Sequence, residues 1–446
     1  MTHARPSLSL LSLALTAALL SACSSSPTPP QASQATAPPV LQPVSLVTVP
    51  LQAGDSPSSV GAALHGTVLS WNDAGCASGV TVDCEAIVGV QAPVALAAQG
   101  VGRLGRPVTV EANGAAFRAT GTLLVGMEGA RIAWAGGSLQ AWTQGARIAW
   151  AGGTYAPVPQ NTATWTQVHL QQAQALAPAL GEGVTVAVID TGLDLTHPAF
   201  EGALTDPSTW QDYVGADRVP QEEGVLGTGG YGHGTNVAGI VLQIAPNAKI
   251  MPLRVLDANG VGTVANVALA VRWAADHGAN VINLSLGSAK DSRAVRDAVA
   301  SAAARHIPVI ASAGNDGSTR LTYPAANAPD VGNLLGVGSV DAADVKSLFS
   351  SYGRDLSLLA PGEHVYAPAP DGLLAAWTGT SMSAPEVAGG LALALGQPLK
   401  VGVDDLTGAL RGSATKVDGL LPNLPYAGRL GSGRVDLSAF LGRTVR

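Results

Sequence analysis

The sequence predicts an α/β protein in which a three-layer domain with a parallel sheet follows a smaller, β-rich domain. Two patterns support this prediction. From residue 183 onward, short apolar segments alternate with longer helical segments, and continuous apolar strands separated by helices are typical of a parallel sheet covered on both faces. Between residues 51 and 160, short β-favouring segments alternate with Gly-rich turns instead, which indicates a separate β-rich unit.

The larger domain is predicted to cover residues 161–446. Its strands are predicted at residues 184–189, 249–255, 281–286, 308–313 and 335–340. Its helices are predicted at residues 237–244, 264–277, 292–305 and 382–395. In open α/β sheets, functional residues lie at the carboxyl ends of the strands. Polar residues that directly follow these strands are therefore the first candidates for a functional site.

The smaller domain, residues 51–160, has its clearest β-favouring segments at residues 107–111 and 116–125. Downstream of these segments, the peptide GARIAWAGG occurs at residues 129–137 and again at residues 145–153. Each copy is typical of a short strand that ends in a Gly-Gly turn, so we interpret the repeat as a duplicated hairpin.

Three tryptophans, Trp134, Trp142 and Trp150, crowd this repeat region. They could form an aromatic ligand-binding face, but packing within strands or a core is the commoner use of such side chains. The repeat therefore assigns no ligand.

The first 22 residues resemble a bacterial lipoprotein signal peptide. Arg5 precedes an apolar segment at residues 8–20 that is too short to span a membrane comfortably, and the following Leu-Ser-Ala-Cys sequence matches a lipobox. The resemblance implies cleavage before Cys23, lipidation of its thiol and attachment to the cell envelope. An ordinary secretory signal is the alternative, but bulky Leu20 disfavours cleavage after Ala22. Residues 23–50, rich in Ser, Pro, Gln and Ala, are interpreted as a disordered tether.

Two cysteines, Cys76 and Cys84, remain after Cys23 is set aside. An even pair in an exported chain predicts a disulfide, which would close a short loop and stabilise the fold by about 2.6 kcal/mol on the chain-entropy model. Zinc binding is the alternative, but two cysteines with no nearby histidine are too few ligands.

The overall composition excludes one class of partner. Charged residues make up 12% of the 446 residues and the net charge is −7, so the chain has no basic patch for nucleic acid.

Three residues have the types and settings that nucleophilic hydrolysis requires. Asp190 follows the predicted strand 184–189, His233 lies between two glycines, and Ser381 precedes a long Ala/Leu-rich segment. A serine hydroxyl becomes a good nucleophile when an imidazole takes its proton, and a buried carboxylate holds that imidazole in the required tautomer. The sequence therefore predicts a catalytic triad of Asp190, His233 and Ser381.

A fourth residue, Asn315, follows the predicted strand 308–313 in a Gly-rich turn. Its side-chain amide is predicted to donate a hydrogen bond to an oxyanion. The backbone N–H of Ser381, at the start of a helix, is the predicted second donor.

These residues stand in motifs that resemble those of the subtilisin-like serine peptidases, or subtilases. The matching segments, in the family's order, are VAVIDTGLDLTHP, GHGTNVAG, INLSLGS, ASAGNDG, LLAPG, GTSMSAPEVAG and GSGRVDLSAF. The chain order Asp, His, Ser also separates the subtilisin scaffold from chymotrypsin-type enzymes and α/β-hydrolases. The resemblance implies a subtilisin-like fold from about Trp165 to the C-terminus. It assigns catalytic roles to Asp190, His233, Asn315 and Ser381.

The resemblance also implies a substrate groove, with its first specificity pocket. Its lining residues would be Ser285, Leu286, Gly287, Ala311, Ser312, Ala313 and Gly314. Peptide substrates are expected to pair with the segment 285–287 by strand addition. Thr322 is expected at the pocket base, where it favours a medium-sized apolar residue before the scissile bond. The implied activity is that of an extracytoplasmic endopeptidase that forms an acyl-enzyme, acts as a monomer and uses no cofactor.

Three positions depart from the family's pattern. Asn236 stands where many relatives have a second histidine, so His233 is the base candidate of that motif. Ala199 stands where many relatives have a calcium-ligating aspartate, and residues 239–246 lack the insertion that completes that site, so no metal is expected there. Glu386 replaces a common histidine and is interpreted as an ordinary helix-face glutamate.

The role of the N-terminal domain stays open at this point. In subtilases, a domain before the catalytic unit often acts as a chaperone and inhibitor that self-cleavage removes, but residues 51–160 do not match the usual prodomain sequence. Cleavage is predicted at residues 154–166, interpreted as the most exposed linker, and would release the peptidase from its anchor. The alternative function is a binding or adhesion lipoprotein with an inactive peptidase fold. The complete set of catalytic residues favours the peptidase.

Overall fold

The computed structural model describes residues 42–76, 84–119, 122–123, 150–151, 154–155 and 158–446. Residues Gln42–Arg446 belong to one compact unit. The predicted signal peptide, Cys23, Trp134, Trp142 and the first GARIAWAGG copy lie outside the described residues. Within the described residues, no helix is both long and apolar enough to cross a membrane.

The N-terminal part of this unit contains a four-stranded antiparallel sheet. Its elements, in chain order, are β1 (Ser45–Pro50), α1 (Pro57–Leu64), β2 (Thr67–Asn72), β3 (Glu85–Val90), α2 (Val94–Gly100) and β4 (Thr109–Ala112). The strand order is β2-β3-β1-β4, so both helices are crossovers between strands of one sheet. The predicted β-rich domain is confirmed, and it also contains two helices that the sequence analysis did not predict.

The last six residues of the predicted tether, residues 45–50, form a strand instead. Residues 45–50 form β1, which pairs with both β3 and β4. The segment SLVTVP places apolar side chains on two covered faces: Val47 and Val49 pack in a cluster with residues of α1, while Leu46 belongs to a core shared with the larger domain. Side chains alternate between the faces of a strand, so this short segment is buried on both sides although Ser- and Pro-rich sequence precedes it.

The predicted strand 116–125 is instead divided between β5 (Ala115–Ala119) and β6 (Thr122–Leu123). Neither strand joins the N-terminal sheet, since both pair with strands of the larger domain. The second GARIAWAGG copy is described at β7 (Trp150–Ala151), which pairs antiparallel with β8 (Thr154–Tyr155) as a hairpin requires.

From Val158 onward, the segment predicted as an exposed linker is helical and partly buried. Val158 and Trp165 are buried, and Asn161 donates hydrogen bonds to Gln243 Oε1 at 2.9 Å and to the carbonyl of Tyr366 at 2.7 Å. Two helices begin here, α3 (Thr162–Gln167) and α4 (Leu170–Leu176). The Asn and Gln content suggested exposure, and Gln160 is exposed, but the Asn161 side chain is buried with its amide nitrogen hydrogen-bonded.

The larger domain is built on a seven-stranded sheet. Its strands are β9 (Thr185–Asp190), β10 (Gln211–Asp212), β11 (Lys249–Arg254), β13 (Val281–Leu284), β15 (Val309–Ser312), β16 (Leu334–Val340) and β17 (Leu358–Pro361). All pairings are parallel, in the order β10-β11-β9-β13-β15-β16-β17. The remaining described strands are β12 (Val261–Thr263), β14 (Leu286–Gly287), β18 (Val365–Ala369) and β19 (Leu373–Thr378).

Helices cover both faces of this sheet. They are α5 (His233–Ile244), α6 (Val264–Asp276), α7 (Arg293–Ala304), α8 (Thr380–Leu395), α9 (Leu406–Gly412) and α10 (Leu437–Thr444). In β9, Val186 and Val188 pack in the core with α5 and α8, whereas Ala187 and Ile189 pack in the core with α6 and α7. Burial on both faces explains the continuous apolar strands, and the predicted three-layer fold is confirmed.

The N-terminal domain docks on α6 and α7 through polar contacts. Glu85 and Arg272 form a buried ion pair. Asn113 Oδ1 accepts the backbone N–H of Ala265 at 2.9 Å, and Glu111 Oε1 accepts that of Ala294 at 2.8 Å. Both N–H groups lie in the first turn of a helix, where backbone donors lack partners within the helix. The N-terminal domain therefore completes the capping of two helices of the larger domain.

Cys76 and Cys84 are joined by a disulfide bond. The bond uses both thiols and leaves neither available as a zinc ligand. Residue 84 lies next to β3, and the backbone N–H of Leu51 donates to the Cys84 carbonyl at 2.9 Å. The crosslink is therefore anchored at the edge of the N-terminal sheet.

Candidate active site

Asp190 is the last residue of β9, at the carboxyl end of a central strand, and is fully buried. Its Oδ1 accepts the backbone N–H of Thr191 at 2.8 Å and is 2.6 Å from His233 Nδ1. This contact fixes the imidazole with Nε2 on the opposite side of the ring, where a base must accept a proton.

His233 is the first residue of α5, so this helix starts four residues earlier than predicted. The glycine that follows is required for the close approach of helix and strand. A Cβ on Gly234 would overlap the carbonyl oxygen of Gly192 and lie 3.2 Å from Asp190 Cβ. The edge of Trp377 also packs against the imidazole, with ring centroids 5.3 Å apart. A glycine beside the histidine is therefore a packing requirement of the Asp190–His233 contact.

Ser381 is the second residue of α8 and is fully buried. Its hydroxyl donates to the carbonyl of Ser285 at 3.0 Å, and the Ser285 hydroxyl donates back to the Ser381 carbonyl at 2.8 Å. His233 Nε2 is buried and has no hydrogen-bond partner among the described residues. The serine hydroxyl is thus bonded to the residue directly before β14.

Asn315 lies after β15, and its side-chain oxygen is hydrogen-bonded to Thr380. Its Oδ1 accepts the backbone N–H of Thr380 at 3.0 Å and the Thr380 hydroxyl at 2.9 Å. These two bonds hold the Asn315 side chain at the first residue of α8, directly before Ser381.

The predicted groove residues lie at the carboxyl ends of the neighbouring strands β13 and β15. Leu286 and Gly287 form β14, and β15 ends in Ala311 and Ser312, with Ala313 and Gly314 directly after it. All of them are buried, as is Ser285. Thr322 lies against both segments, since a Cβ on Gly287 would come within 2.6 Å of Thr322 Cβ and one on Gly314 within 2.8 Å of Thr322 Cγ2. Thr322 therefore limits the space between Gly287 and Gly314. The sequence-based expectation was that Thr322 lies at the base of the specificity pocket.

A strand of the chain itself pairs with the predicted groove segment. Strand β5 lies between β12 and β14 in a three-stranded antiparallel sheet, with Phe117 opposite Gly262 and Ala119 opposite Leu286. Phe117 is fully buried. Thr122 of β6 pairs with Thr378 of β19, three residues before Ser381. This pairing could not be predicted from the sequence, because short strands carry no signal for a distant partner.

Two buried carboxyl groups near the site were missed or misread. Glu222 lies outside the catalytic motifs, yet its carboxylate bonds to residues beside Asp190 and His233. Glu386, interpreted as a helix-face residue, is fully buried in α8, and neither of its oxygens has a partner among the described residues. Burial raises the pKa of Glu386 well above its usual range. Neither position could be found from spacing, since both depend on tertiary packing.

The model of the Subtilase family, peptidase family S8, matches residues 181–427. The chain belongs to the subtilase family. Thermitase from Thermoactinomyces vulgaris is 36% identical over 260 residues, which are 56% of this chain and 88% of thermitase. Subtilisin BL from Lederbergia lenta is 39% identical over 222 residues, 48% of this chain and 76% of that protein. An alkaline protease from Alkalihalobacillus alcalophilus is 40% identical over 222 residues, 48% of this chain and 54% of that protein.

This subtilase is a subtilisin-like serine endopeptidase. Its matched region begins just before β9 and ends after α9, so it contains the large sheet and all four predicted catalytic positions. The N-terminal domain, residues 42–119, lies outside the matched region.

The position of the usual calcium ligand in this subtilase is filled by an apolar residue. Ala199 is fully buried in the short turn Pro198–Phe200, and only four residues separate the end of α5 from β11. Among the described residues, no cluster of three or more His, Cys, Asp or Glu side chains could hold a metal ion.

Chelation is therefore expected to have little effect on the thermal stability of this subtilase. The measurement is the midpoint of thermal inactivation with and without EDTA. A large fall with EDTA that calcium reverses would show that a metal site had been overlooked.

Proposed function

We propose that Asp190, His233 and Ser381 form the catalytic triad of this endopeptidase, with Asn315 as an oxyanion donor. The observation that carries the proposal is the 2.6 Å contact between His233 Nδ1 and Asp190 Oδ1 in a fully buried site. It is supported by the position of Ser381 at the start of α8, where a helix N-terminus favours negative charge.

In this mechanism, Ser381 Oγ turns from Ser285 and attacks the scissile carbonyl while His233 Nε2 takes its proton. Asp190 stabilises the imidazolium that results. The backbone N–H of Ser381 and the amide N–H of Asn315 stabilise the oxyanion. The imidazolium then gives its proton to the leaving amine, and an acyl-enzyme remains on Ser381. Water, activated by the same imidazole, hydrolyses the acyl-enzyme and releases the second product.

A serine-reactive fluorophosphonate tests this assignment directly. The processed enzyme is expected to become labelled on Ser381, as identified by mass spectrometry, and Ser381→Ala should not be labelled. Ser383→Ala is the matched control, because Ser383 is a buried serine of the same helix whose hydroxyl bonds to the carbonyls of Ala360 and Pro361. Normal labelling of Ser381→Ala would refute the assignment.

We also infer that the N-terminal domain is an inhibitory prodomain. The support is the strand β5, which lies in the groove between β12 and β14 in the position that strand addition requires of a peptide substrate. The docking contacts of Glu85, Glu111 and Asn113 on α6 and α7 hold the domain in place. A segment that fills the groove in this way excludes other substrates.

We propose that self-cleavage occurs between Ala119 and Thr122, and the register of β5 and β6 supports this position. Ala119 pairs with Leu286, next to the Ser285 carbonyl that accepts the Ser381 hydroxyl, and Thr122 pairs with Thr378, three residues before Ser381. Three peptide bonds join them, and an extended chain of this length spans at most about 11 Å. One of these three bonds is therefore the proposed scissile bond, in place of the segment 154–166.

We propose that the protein is exported and anchored to the cell envelope through a lipid on Cys23. The support is the lipobox and the disulfide between Cys76 and Cys84, since disulfides persist mainly in oxidising compartments. Cleavage after Ala119 would leave the lipidated N-terminal domain on the membrane. The released peptidase would then begin with the segment that carries both GARIAWAGG copies.

A further inference from the structure

Glu222 is a buried carboxylate beside the proposed triad, and the triad mechanism gives it no task. Its side chain accepts hydrogen bonds from the hydroxyls of Thr191 and Thr235. It also accepts the backbone N–H groups of Gly232 at 2.9 Å, Gly234 at 3.2 Å and Thr235 at 3.3 Å. The residue is 3% exposed. Five hydrogen-bond donors therefore surround one carboxylate, and all of them belong to residues next to Asp190 or His233 or in the first turn of α5.

The three backbone donors surround His233. Helix α5 begins at His233, and the preceding Gly232 has no side chain that could cap it. Glu222 therefore caps the helix from outside and places a negative charge at its N-terminus, where the helix dipole favours it. Since the N–H groups on both sides of His233 are bound to one carboxylate, the backbone position of the base depends on Glu222.

The hydroxyl of Thr191 links Glu222 to the other half of the pair. Thr191 follows Asp190, and its hydroxyl donates to Glu222 and lies 3.3 Å from Asp190 Oδ1. The same oxygen accepts the backbone N–H of Gly234 at 2.9 Å. The turn after β9 and the first turn of α5 are thus joined through Thr191 and Glu222.

The charged and titratable groups facing Glu222 come from several elements. Asp190 and His233 lie on β9 and α5, Tyr231 precedes α5, and Asp194 follows the turn after β9. The neighbouring Glu223 is paired with Arg254 of β11. Burial raises the pKa of Glu222 to about 7, against the effect of the hydrogen bonds from Thr191 and Thr235. Its charge therefore changes in the neutral pH range.

We propose that Glu222 is a positioning residue for the peptidase reaction, whose carboxylate fixes His233 against Asp190 and whose negative charge favours the imidazolium formed during catalysis. Glu222 contacts neither the groove nor the proposed reacting atoms, so it acts through the two triad members. The proposal rests on the triad assignment made above.

Glu222→Gln tests the charge, because an amide of the same shape replaces the carboxylate. The kcat of the processed enzyme on a peptide substrate is expected to fall about 10- to 100-fold, with KM nearly unchanged. The acid limb of the pH profile of kcat/KM, which reports protonation of the catalytic base, is expected to move to lower pH by about 0.5 to 1 unit. Glu223→Gln is the matched control: Glu223 is adjacent, equal in charge and largely exposed, and its loss should leave both quantities unchanged.

Glu222→Asp separates position from charge. It keeps the negative charge but withdraws it by one methylene, so kcat should fall while the acid limb stays at the wild-type pH. An unchanged kcat in Glu222→Asp would overturn the positioning role, and this variant decides the matter if Glu222→Gln does not fold. An unshifted acid limb in folded Glu222→Gln, with only a lower melting temperature, would mean that Glu222 is merely structural. Loss of the triad assignment is seen separately, since Ser381→Ala would then remain active.

Discussion

Ser381→Ala is expected to lower kcat by about 10⁶, and Asn315→Ala by about 10² to 10³. The two losses differ because they remove different functions. Without its hydroxyl, Ser381 cannot form the acyl-enzyme, and His233 and Asp190 then have no nucleophile to activate. Asn315→Ala removes one of the two proposed oxyanion donors, whereas the other donor, the backbone N–H of Ser381, remains.

The measurement is kcat on a chromogenic peptide, with the variants freed of their N-terminal domain by an unrelated peptidase that is then removed. Asn315 also accepts two hydrogen bonds from Thr380 at the start of α8, so the folding of Asn315→Ala is checked by its melting temperature. Asn315→Asp is the matched variant, since it can keep the acceptor oxygen and loses the amide donor. Small and equal losses in Ser381→Ala and Asn315→Ala would mean that the hydrolysis came from another enzyme.

Wild-type protein is expected to cut itself once between Ala119 and Thr122, whereas Ser381→Ala should remain full length and bound to the membrane. The reason is the register of β5 and β6, which fixes the chain on both sides of Ser381. The measurements are the N-terminal sequence of the released peptidase and the distribution of both fragments between membrane and soluble fractions. The lipidated fragment should stay with the membrane, because several acyl chains hold it at about 0.8 kcal/mol per buried CH₂.

Two other outcomes would contradict this expectation in different ways. A mature N-terminus within residues 154–166 would support the linker interpretation. It would also mean that the pairing of β5 does not determine the cleavage site. Wild type that remains full length on the membrane would mean that residues 42–119 are a permanent spacer. Trp71→Phe is a suitable control variant, because Trp71 lies on β2, away from the groove. It should be cleaved and fractionated like the wild type.

The larger domain was largely predictable because its strands are buried on both faces. Segments such as TVAVID and VIAS carry a continuous apolar pattern, which local sequence reveals directly. The strand β17 and the hairpin β18–β19 were not predicted. The β17 segment LLAP is only four residues long and ends in proline, and the hairpin is enriched in alanine, so neither has a distinctive pattern.

The proposed triad was predictable for a different reason: its members stand in glycine-containing motifs, and a glycine is needed for close packing beside His233. Gly234 shows this, because any Cβ there would collide with the turn after Asp190. Glu222 had no such local signal. It is eleven residues before His233, and its contacts follow from the path of an irregular loop.

The N-terminal domain was predicted only in outline. Its helices α1 and α2 are short, and α2 begins with a proline cap that has no side-chain hydrogen bond. The strand β5 was predicted as part of this domain, yet its partners are β12 and β14, more than 140 residues further along the chain. Pairing over such distances is decided by the assembled fold, which a single sequence does not show.

The capping contacts of the N-terminal domain bear on how the peptidase folds. The first turn is the costly step in forming a helix, and α6 and α7 each take one first-turn acceptor from Asn113 or Glu111. Their own caps, Thr263 and Ser292, satisfy one further N–H each. A small domain that is synthesised first thus offers a template on which two helices of its successor can nucleate. After the proposed cleavage, solvent would take the place of the template at both helices, so the active enzyme would be easier to maintain than to refold.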